Sequence, residues 1–268
     1  MKLAFSTLGC PDWTLERCVA AAGEYGYDGI ELRLLDGAVI EPGIDQAARR
    51  RVRDACAGLP IVCLDSSVKI AQPDPAVRAA QVSDGLAMLE LAAEWGAPLL
   101  RVFAGPPAGV SQADAVAGAA AALPPLAERA RELGLAVALE THDAFCSSAA
   151  VMGALTGAPE QGAGVLWDLL HPYRIGEDPA GTLGRVAKRL LHVHIKDGRP
   201  PADGGPNWDL TLLGEGAVPT QQILAMLREA GYDGWLSVEW EKKWHPELAE
   251  PEVALPQHAT LLRQYLGG

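Results

Sequence analysis

A closed (β/α)8 barrel is the fold class this sequence predicts, and three observations predict it. Eight short apolar runs alternate with longer Ala- and Leu-rich stretches of helical period, with no break in composition along the 268 residues. Most of the runs are continuously apolar before they close in polar or charged residues, the pattern of parallel strands buried on both faces. The phrase GYDG stands before the second run, at 26–29, and again before the eighth, at 231–234, so the two ends of the chain echo each other. The expectation is one barrel domain over residues 1–268. An open doubly wound sheet is the alternative, but the phosphate-binding glycine fingerprint such sheets often carry after strand 1 is absent.

The eight strand candidates are LAFST (3–7), GIELRL (29–34), PIVCLDS (60–66), PLLRVFA (98–104), AVALET (136–141), GVLWD (164–168), LLHVHI (190–195) and WLSVEW (235–240). Helices are expected over 14–25, 45–57, 75–95, 111–134, 180–189 and 219–230. PDWTLE, PDPAVR and VPTQQI mark helix starts, where proline and hydroxyl-bearing residues fit the first turn. EYGYDGIEL, EWGAPLLRV, ELGLAVALE and EAGYDGWLSVE mark helix ends, each with a glycine at the cap and a strand behind it.

Composition excludes several classes of function. With 22 Lys and Arg against 34 Asp and Glu the formal charge is −12, and no basic run is present to hold a nucleic-acid backbone. Five cysteines, an odd number without a CxxC pair, read as reduced thiols of a cytoplasmic protein. Leu8-Gly9-Cys10 has the look of a lipoprotein cleavage site, but the apolar stretch before it is too short for a signal segment. No run reaches the ~18 apolar residues of a membrane helix, so no membrane is expected among the partners.

In a barrel of this kind chemistry gathers where strands end, so the ionisable residues closing each run are the candidates. They are Glu31 and Arg33, Asp65, Arg101, Glu140 followed by His142 and Asp143, Asp168 with His171 three residues on, His194 with Lys196, and Glu239. Singly, each has an ordinary explanation as a turn, cap or hydrogen-bonded core residue. Glu140, Asp168, His194 and Glu239, however, close four consecutive strands. Three carboxylates and one imidazole are ligands for a divalent cation such as Mn, Mg, Co or Zn, and without a cation the carboxylates would raise one another's pKa. In LLHVHIKDG the period of two puts His192, His194 and Lys196 on one inward face at three depths. His194, level with the carboxylates, is the expected ligand, His192 a deeper structural group, and Lys196 the outermost, where it meets substrate or forms a rim salt bridge.

AFSTLGCPDWTLE, GYDGIELR, ALETHD, WDLLHPY, HVHIKDG, LLGEGAVP and LSVEWEKKWHPEL together resemble the sugar phosphate isomerase/epimerase superfamily of xylose isomerase-like TIM barrels, across nearly the whole chain. Ketose 3-epimerases, inosose dehydratase and, more distantly, endonuclease IV belong to it. The resemblance implies one metal bound by Glu140, Asp168, His194 and Glu239, with His171 on substrate hydroxyls. It also implies that Glu140 and Glu239 exchange a proton on opposite faces of the reacting carbon. Lys196, Arg101 and His142 join as expected substrate contacts. The chemistry is sound in physical terms, because a cation gripping a carbonyl and its neighbouring hydroxyl stabilises the enediolate left when a carboxylate takes the adjacent proton.

The expected function is therefore a metal-dependent isomerase or epimerase of a small sugar, sugar phosphate or cyclitol. Dehydration of an inosose-type substrate shares the first step, and a non-catalytic sugar-binding relative is a further alternative. An endonuclease IV-like phosphodiesterase is disfavoured, because LDSS, RVFAG and NWDLTLLGEG lack the extra histidines such enzymes use. A homodimer is implied by the resemblance alone. The Gly- and Pro-rich segment 198–216 is long enough for an active-site loop, and its glycines are a weak signal for backbone N–H groups free for a phosphate, since no Walker-type pattern accompanies them; 241–252 reads either as a loop closing over substrate or as a cap on the barrel mouth. Trp13 and Trp208 are expected either in the core or as walls for a sugar ring.

Overall fold

The computed structural model describes residues 1–202, 204–205 and 207–267. Eight parallel strands form the barrel: β1 (Lys2–Ser6), β2 (Gly29–Leu32), β3 (Ile61–Lys69), β4 (Leu99–Phe103), β5 (Ala136–Glu140), β6 (Ala163–Asp168), β7 (Leu190–Ile195) and β8 (Trp235–Val238). Each pairs with its sequence neighbours, and β1 pairs with β8 to close the ring. Around it lie α1 (Leu15–Tyr25), α2 (Gln46–Ala55), α3 (Pro75–Trp95), α4 (Gln112–Glu132), α5 (Ser148–Ala154), α6 (Leu170–Arg174), α7 (Pro179–Val186), α8 (Thr220–Glu229) and α9 (Pro251–Leu266). Among the described residues no helix is long and apolar enough to cross a membrane.

Local chemistry explains where the helices begin and stop. Thr14, Asp45, Asp74, Ser111 and Asp178 each accept a first-turn N–H of the helix that follows, which satisfies donors the helix cannot satisfy itself. Gly26 and Gly96 end α1 and α3 in the left-handed conformation, at φ 78° and 72°, and the chain turns directly into the next strand. Inside the barrel wall, a Cβ on Gly164 would sit 2.3 Å from the Arg189 carbonyl oxygen, so only glycine lets β6 and β7 approach there.

Two differences from the sequence reading bear on the site. Strand β2, expected to run to 34, stops at Leu32 because Thr7 Oγ1 accepts the N–H groups of both Arg33 and Leu34, at 2.9 and 2.8 Å. The chain is thereby turned out of the barrel into a short hairpin, Leu34–Leu35 with Ala38–Val39. Strand β3 instead runs on to Lys69, with its register shifting between Asp65 and Lys69. Helices α5, α6 and α9 were not marked in the sequence, two of them being too short to show a period and α9 carrying Pro256 inside it.

His258, on the buried face of α9, lies against Trp240, ring centroids 5.5 Å apart, and its Nδ1 donates to the Ala254 carbonyl at 2.6 Å. Burial pushes its protonation down to about 4, so the native protein keeps it neutral while the unfolded chain takes up a proton near pH 6.5. The unfolded state then holds more protons between these values, and stability falls as pH falls through that window. At pH 5 the loss from this group is about 2 kcal/mol. Urea unfolding of wild type and His258→Leu at pH 7 and pH 5 measures it: the wild type loses about that much more stability than the variant, and equal losses refute the assignment.

Candidate functional site

The site is built at the C-terminal ends of the strands, where inward side chains meet with no room for bulk water. Opposite one another in the sheet register stand Asp168 and His194, and a layer away Asp65 and Arg101. Glu140, Asp168, His194 and Glu239 each offer one donor atom, all lying within 4.8 Å of one another, and all four residues are buried. His194 Nδ1 lies 3.4 Å from Glu140 Oε1 and 3.6 Å from Glu239 Oε2. These are the four side chains that the strand ends singled out in the sequence.

Each is aimed by its neighbours. Asp168 uses Oδ1 to accept the N–H groups of Leu170 and His171, at 2.8 and 3.3 Å, which starts α6 and leaves Oδ2 facing the cluster. The same turn places His171 Nε2 3.7 Å from that oxygen, which is the structural content of the D-x-x-H spacing. His194 turns Nε2 to Glu31 Oε1 at 3.0 Å, and Glu31 Oε2 holds His192 Nε2 at 2.6 Å. Burial works against a charge on His194, but the carboxylates around it, Glu31 and Glu239 first, outweigh burial and raise its protonation well above the ordinary histidine value. A cation taking the place of the Nδ1 proton would leave Nε2 donating to Glu31 and Nδ1 aimed at the other three ligand candidates. Burial raises the Glu31 carboxyl, yet the two imidazoles outweigh it and hold the group well below the usual carboxylate range. Asp65 goes the other way: burial and the Glu31 charge push it up to about 8 against the pull of Arg101, so it stays protonated near neutrality.

Lys196 reaches Asp168 Oδ2 at 3.1 Å and both Glu239 Oε2 and Glu241 Oε1 at 2.5 Å. Burial works against the Glu239 charge, but Lys196 and His194 hold its carboxyl well below the ordinary value. Arg101 is buried between Asp65 and Glu140, its Nε 3.5 and 3.4 Å from them, and lies over the Phe103 ring. His142 packs between Phe103 and His171, ring centroids 4.7 and 4.6 Å away, and pairs with Asp143 at 3.0 Å. Burial, then the cations around it, hold His171 neutral, its protonation well below the ordinary histidine value. A cavity of 320 Å³ opens outward from this cluster, with Arg101, His142 and Glu239 in its wall and Trp244 at its rim.

The residues present fit a divalent cation. Both oxygens of Glu140, Oδ2 of Asp168 and Nδ1 of His194 are buried and meet their neighbours only as ion pairs, at 3.1 to 3.6 Å, without a well-directed hydrogen bond, which leaves coordinating capacity turned toward one point.

The flanking segments depart from expectation. Segment 198–216, of which Asp203 and Pro206 lie outside the described residues, forms a hairpin of Asp197–Arg199 with Asp209–Thr211. The N–H groups of Gly198, Gly214 and Gly216 turn to a carboxylate of the protein itself. Gly198 and Val218 donate to Asp197 Oδ1, and Gly214 and Gly216 to Oδ2, at 2.8 to 3.1 Å. The carboxylate one residue past Lys196 thus takes the donors expected for a phosphate. In 241–252, Lys242 Nζ is bound to the Pro246 and Leu248 carbonyls at 2.6 Å, which folds that loop on itself. Trp13 hydrogen-bonds Glu252 and carries Arg17 on its face, and Trp208 meets Tyr173 edge-on, so neither lines this cavity. The sequence reading named Glu31 and Asp65 among the strand-end candidates without giving either a partner, and it did not single out Glu241. A period-two reading of GIELR places Glu31 inward, but nothing in one sequence pairs it with strand β7.

Comparison with known proteins follows from this geometry. The profile of the family described as xylose isomerase-like TIM barrel matches residues 19–265. An inosose dehydratase of Lacticaseibacillus casei is 30% identical over 156 residues, 53% of this chain and 50% of that protein. The rhizopine catabolism protein MocC of Rhizobium meliloti is 32% identical over 152 residues, 52% of this chain and 46% of that one. The chain spans about half the length of these curated relatives. Among solved structures, the IOLI protein, which carries a zinc atom, superposes with a TM-score of 0.82 at 18% identity, covering 100% of this chain and 98% of that one. A D-tagatose 3-epimerase-like protein gives 0.79 at 18% identity, covering 100% and 97%. At such identity these two show the fold.

Removing the carboxylate shared by His192 and His194 leaves two buried imidazoles without an acceptor. Glu31→Leu is expected to lower unfolding stability by about 3–5 kcal/mol in the presence of a chelator, read from urea titration. A loss under about 1 kcal/mol would show that the two histidines do not depend on it.

Proposed function

Because this chain belongs to the xylose isomerase-like TIM barrel family, we propose that it is an enzyme removing a proton from the carbon beside the carbonyl of a small polyhydroxylated ketone. The observation that carries the reading is the convergence of Glu140, Asp168, His194 and Glu239 on one point, with the Glu140 oxygens, Asp168 Oδ2 and His194 Nδ1 buried there without a hydrogen bond. These four would hold a divalent cation. When bound, it would supply Lewis-acid polarisation of the ketone oxygen and an adjacent hydroxyl.

The rest belongs to the chain's own side chains. Glu140 and Glu239 close β5 and follow β8, on different walls of the barrel, so a carbon between them meets a carboxylate on each side. One carboxylate takes the proton and the other returns one from the far side, which inverts the centre and makes the enzyme an epimerase. Lys196, already within hydrogen-bond reach of Glu239 and Asp168, and neutral His171 orient substrate oxygens. The likeness to inosose dehydratases over half the chain favours a second outcome of the same first step. There the C–O bond on the next carbon breaks, its hydroxyl leaves as water after taking a proton from an acid of the site, and no proton returns to carbon.

Solvent deuterium tests the shared step. In D2O with added Mn or Zn, one carbon-bound proton of a ketose or inosose substrate is expected to exchange. Glu140→Gln or Glu239→Gln should slow exchange on the order of 100-fold or more while leaving the barrel folded. Retained exchange in both variants would overturn the assignment of bases. Recovery of the epimer or of the dehydrated enone in the product distinguishes the two outcomes. Glu31→Gln, which offers one acceptor oxygen in place of two, is expected to weaken binding of the metal about 10- to 100-fold by calorimetry.

A further inference from the structure

Beside the ligand cluster, the cavity wall just past β2 and at the end of β3 carries two cations that form no ion pair among the described residues. Arg33 is only 7% exposed, yet among the described residues no carboxylate comes within ion-pair distance of it. Its Nη1 donates to the Asp65 carbonyl at 3.3 Å and Ser67 Oγ at 3.0 Å, both neutral partners. Lys69 lines the same cavity, its stem laid over Gly105, where an added Cβ would lie 2.7 Å from it. It too has no ion pair among the described residues.

The acids that share this cavity are already engaged. Glu239 and Glu241 face Lys196 at 2.5 Å, and Asp143 faces His142 at 3.0 Å. Arg101, the third cation of the wall, stands between Asp65 and Glu140. In a chain with 34 acidic against 22 basic side chains, an almost buried guanidinium left without an acid is a departure from what burial energetics favours. Burial, and then the repulsion of Arg101, push Arg33 down to about 10, so it remains a cation at neutral pH.

We infer that the substrate carries an anionic group, a carboxylate or a phosphate, and that Arg33, Ser67 and Lys69 form the subsite that holds it. The guanidinium presents the planar fork that matches such oxyanions. Ser67, whose oxygen accepts from Arg33, keeps its hydroxyl proton to donate to the same anion. Lys69 adds a point charge at the open side. The cavity of 320 Å³ suits a small acid of about the size of a hexose. This inference rests on reading the cavity as the substrate site, and it sets the chain apart from a specificity for neutral cyclitols.

Unreactive polyols separate the inference from the chemistry. Binding of D-gluconate, D-glucitol 6-phosphate and neutral D-glucitol to the metal-loaded protein is to be measured by calorimetry at two salt concentrations. One of the two anions is expected to bind at least about tenfold more tightly than glucitol, the preferred one identifying carboxylate or phosphate. That preference should weaken with salt, vanish in Arg33→Met, persist in part in Arg33→Lys and shrink in Lys69→Met, whose side chain is exposed and leaves folding untouched. Equal binding of all three polyols, or a preference unchanged in both Arg33→Met and Lys69→Met, overturns the inference. Anion preference without deuterium exchange on any ketone would instead leave the subsite standing and refute the proposed proton transfer.

Discussion

Closure of the barrel forces a column of ionisable side chains into its buried interior. On β7 the two-residue period turns His192 and His194 inward at successive depths, with Lys196 just beyond the strand. Neighbouring strands add Glu31, Asp65, Arg101, Glu140, Asp168 and Glu239 to the same interior. A buried charge is tolerated only where an opposite charge, a hydrogen bond or a ligand meets it. The arrangement of this column follows from that requirement.

The compensation changes with depth. At the bottom, one carboxylate is clasped by two imidazoles, and a second carboxyl beside it keeps its proton. At the level of the ligand cluster the acids face one another around His194, with lone pairs left over. At the mouth, Lys196 gathers the acids on one side, while Arg33 and Lys69 on the other side form no ion pair among the described residues. The deepest layer is thus closed among protein groups, and each layer above leaves more for something that is not protein. Deep groups that satisfy one another hold the orientation of those above them, whose remaining capacity is open to a ligand.

The sequence carries the fold because burial on both faces writes strands as unbroken apolar runs, and glycine caps mark where helices stop. All eight barrel strands and the six expected helices lie where these signals place them, within a few residues. The ligand candidates were legible for a related reason: a charge at the end of a strand stands out against an apolar run. What escaped the sequence depends on contacts across the barrel. The clasp of Glu31 joins residues 161 and 163 positions away, and Thr7 shortens β2 from 26 and 27 positions away. Glycines at 214 and 216 looked free for a phosphate because nothing local shows that Asp197 bends back over them.

That bend separates the chemistry of β7 from the length of the loop behind it. Asp197 ties both ends of the excursion together, taking N–H groups from residues 198 and from 214 to 218, directly after Lys196. The stretch between, from the hairpin outward, hangs from this knot and not from the strand. Insertions or deletions there would reshape the rim of the cavity while leaving Lys196 and His194 in register. The loop can therefore change in length without disturbing the residues that close β7.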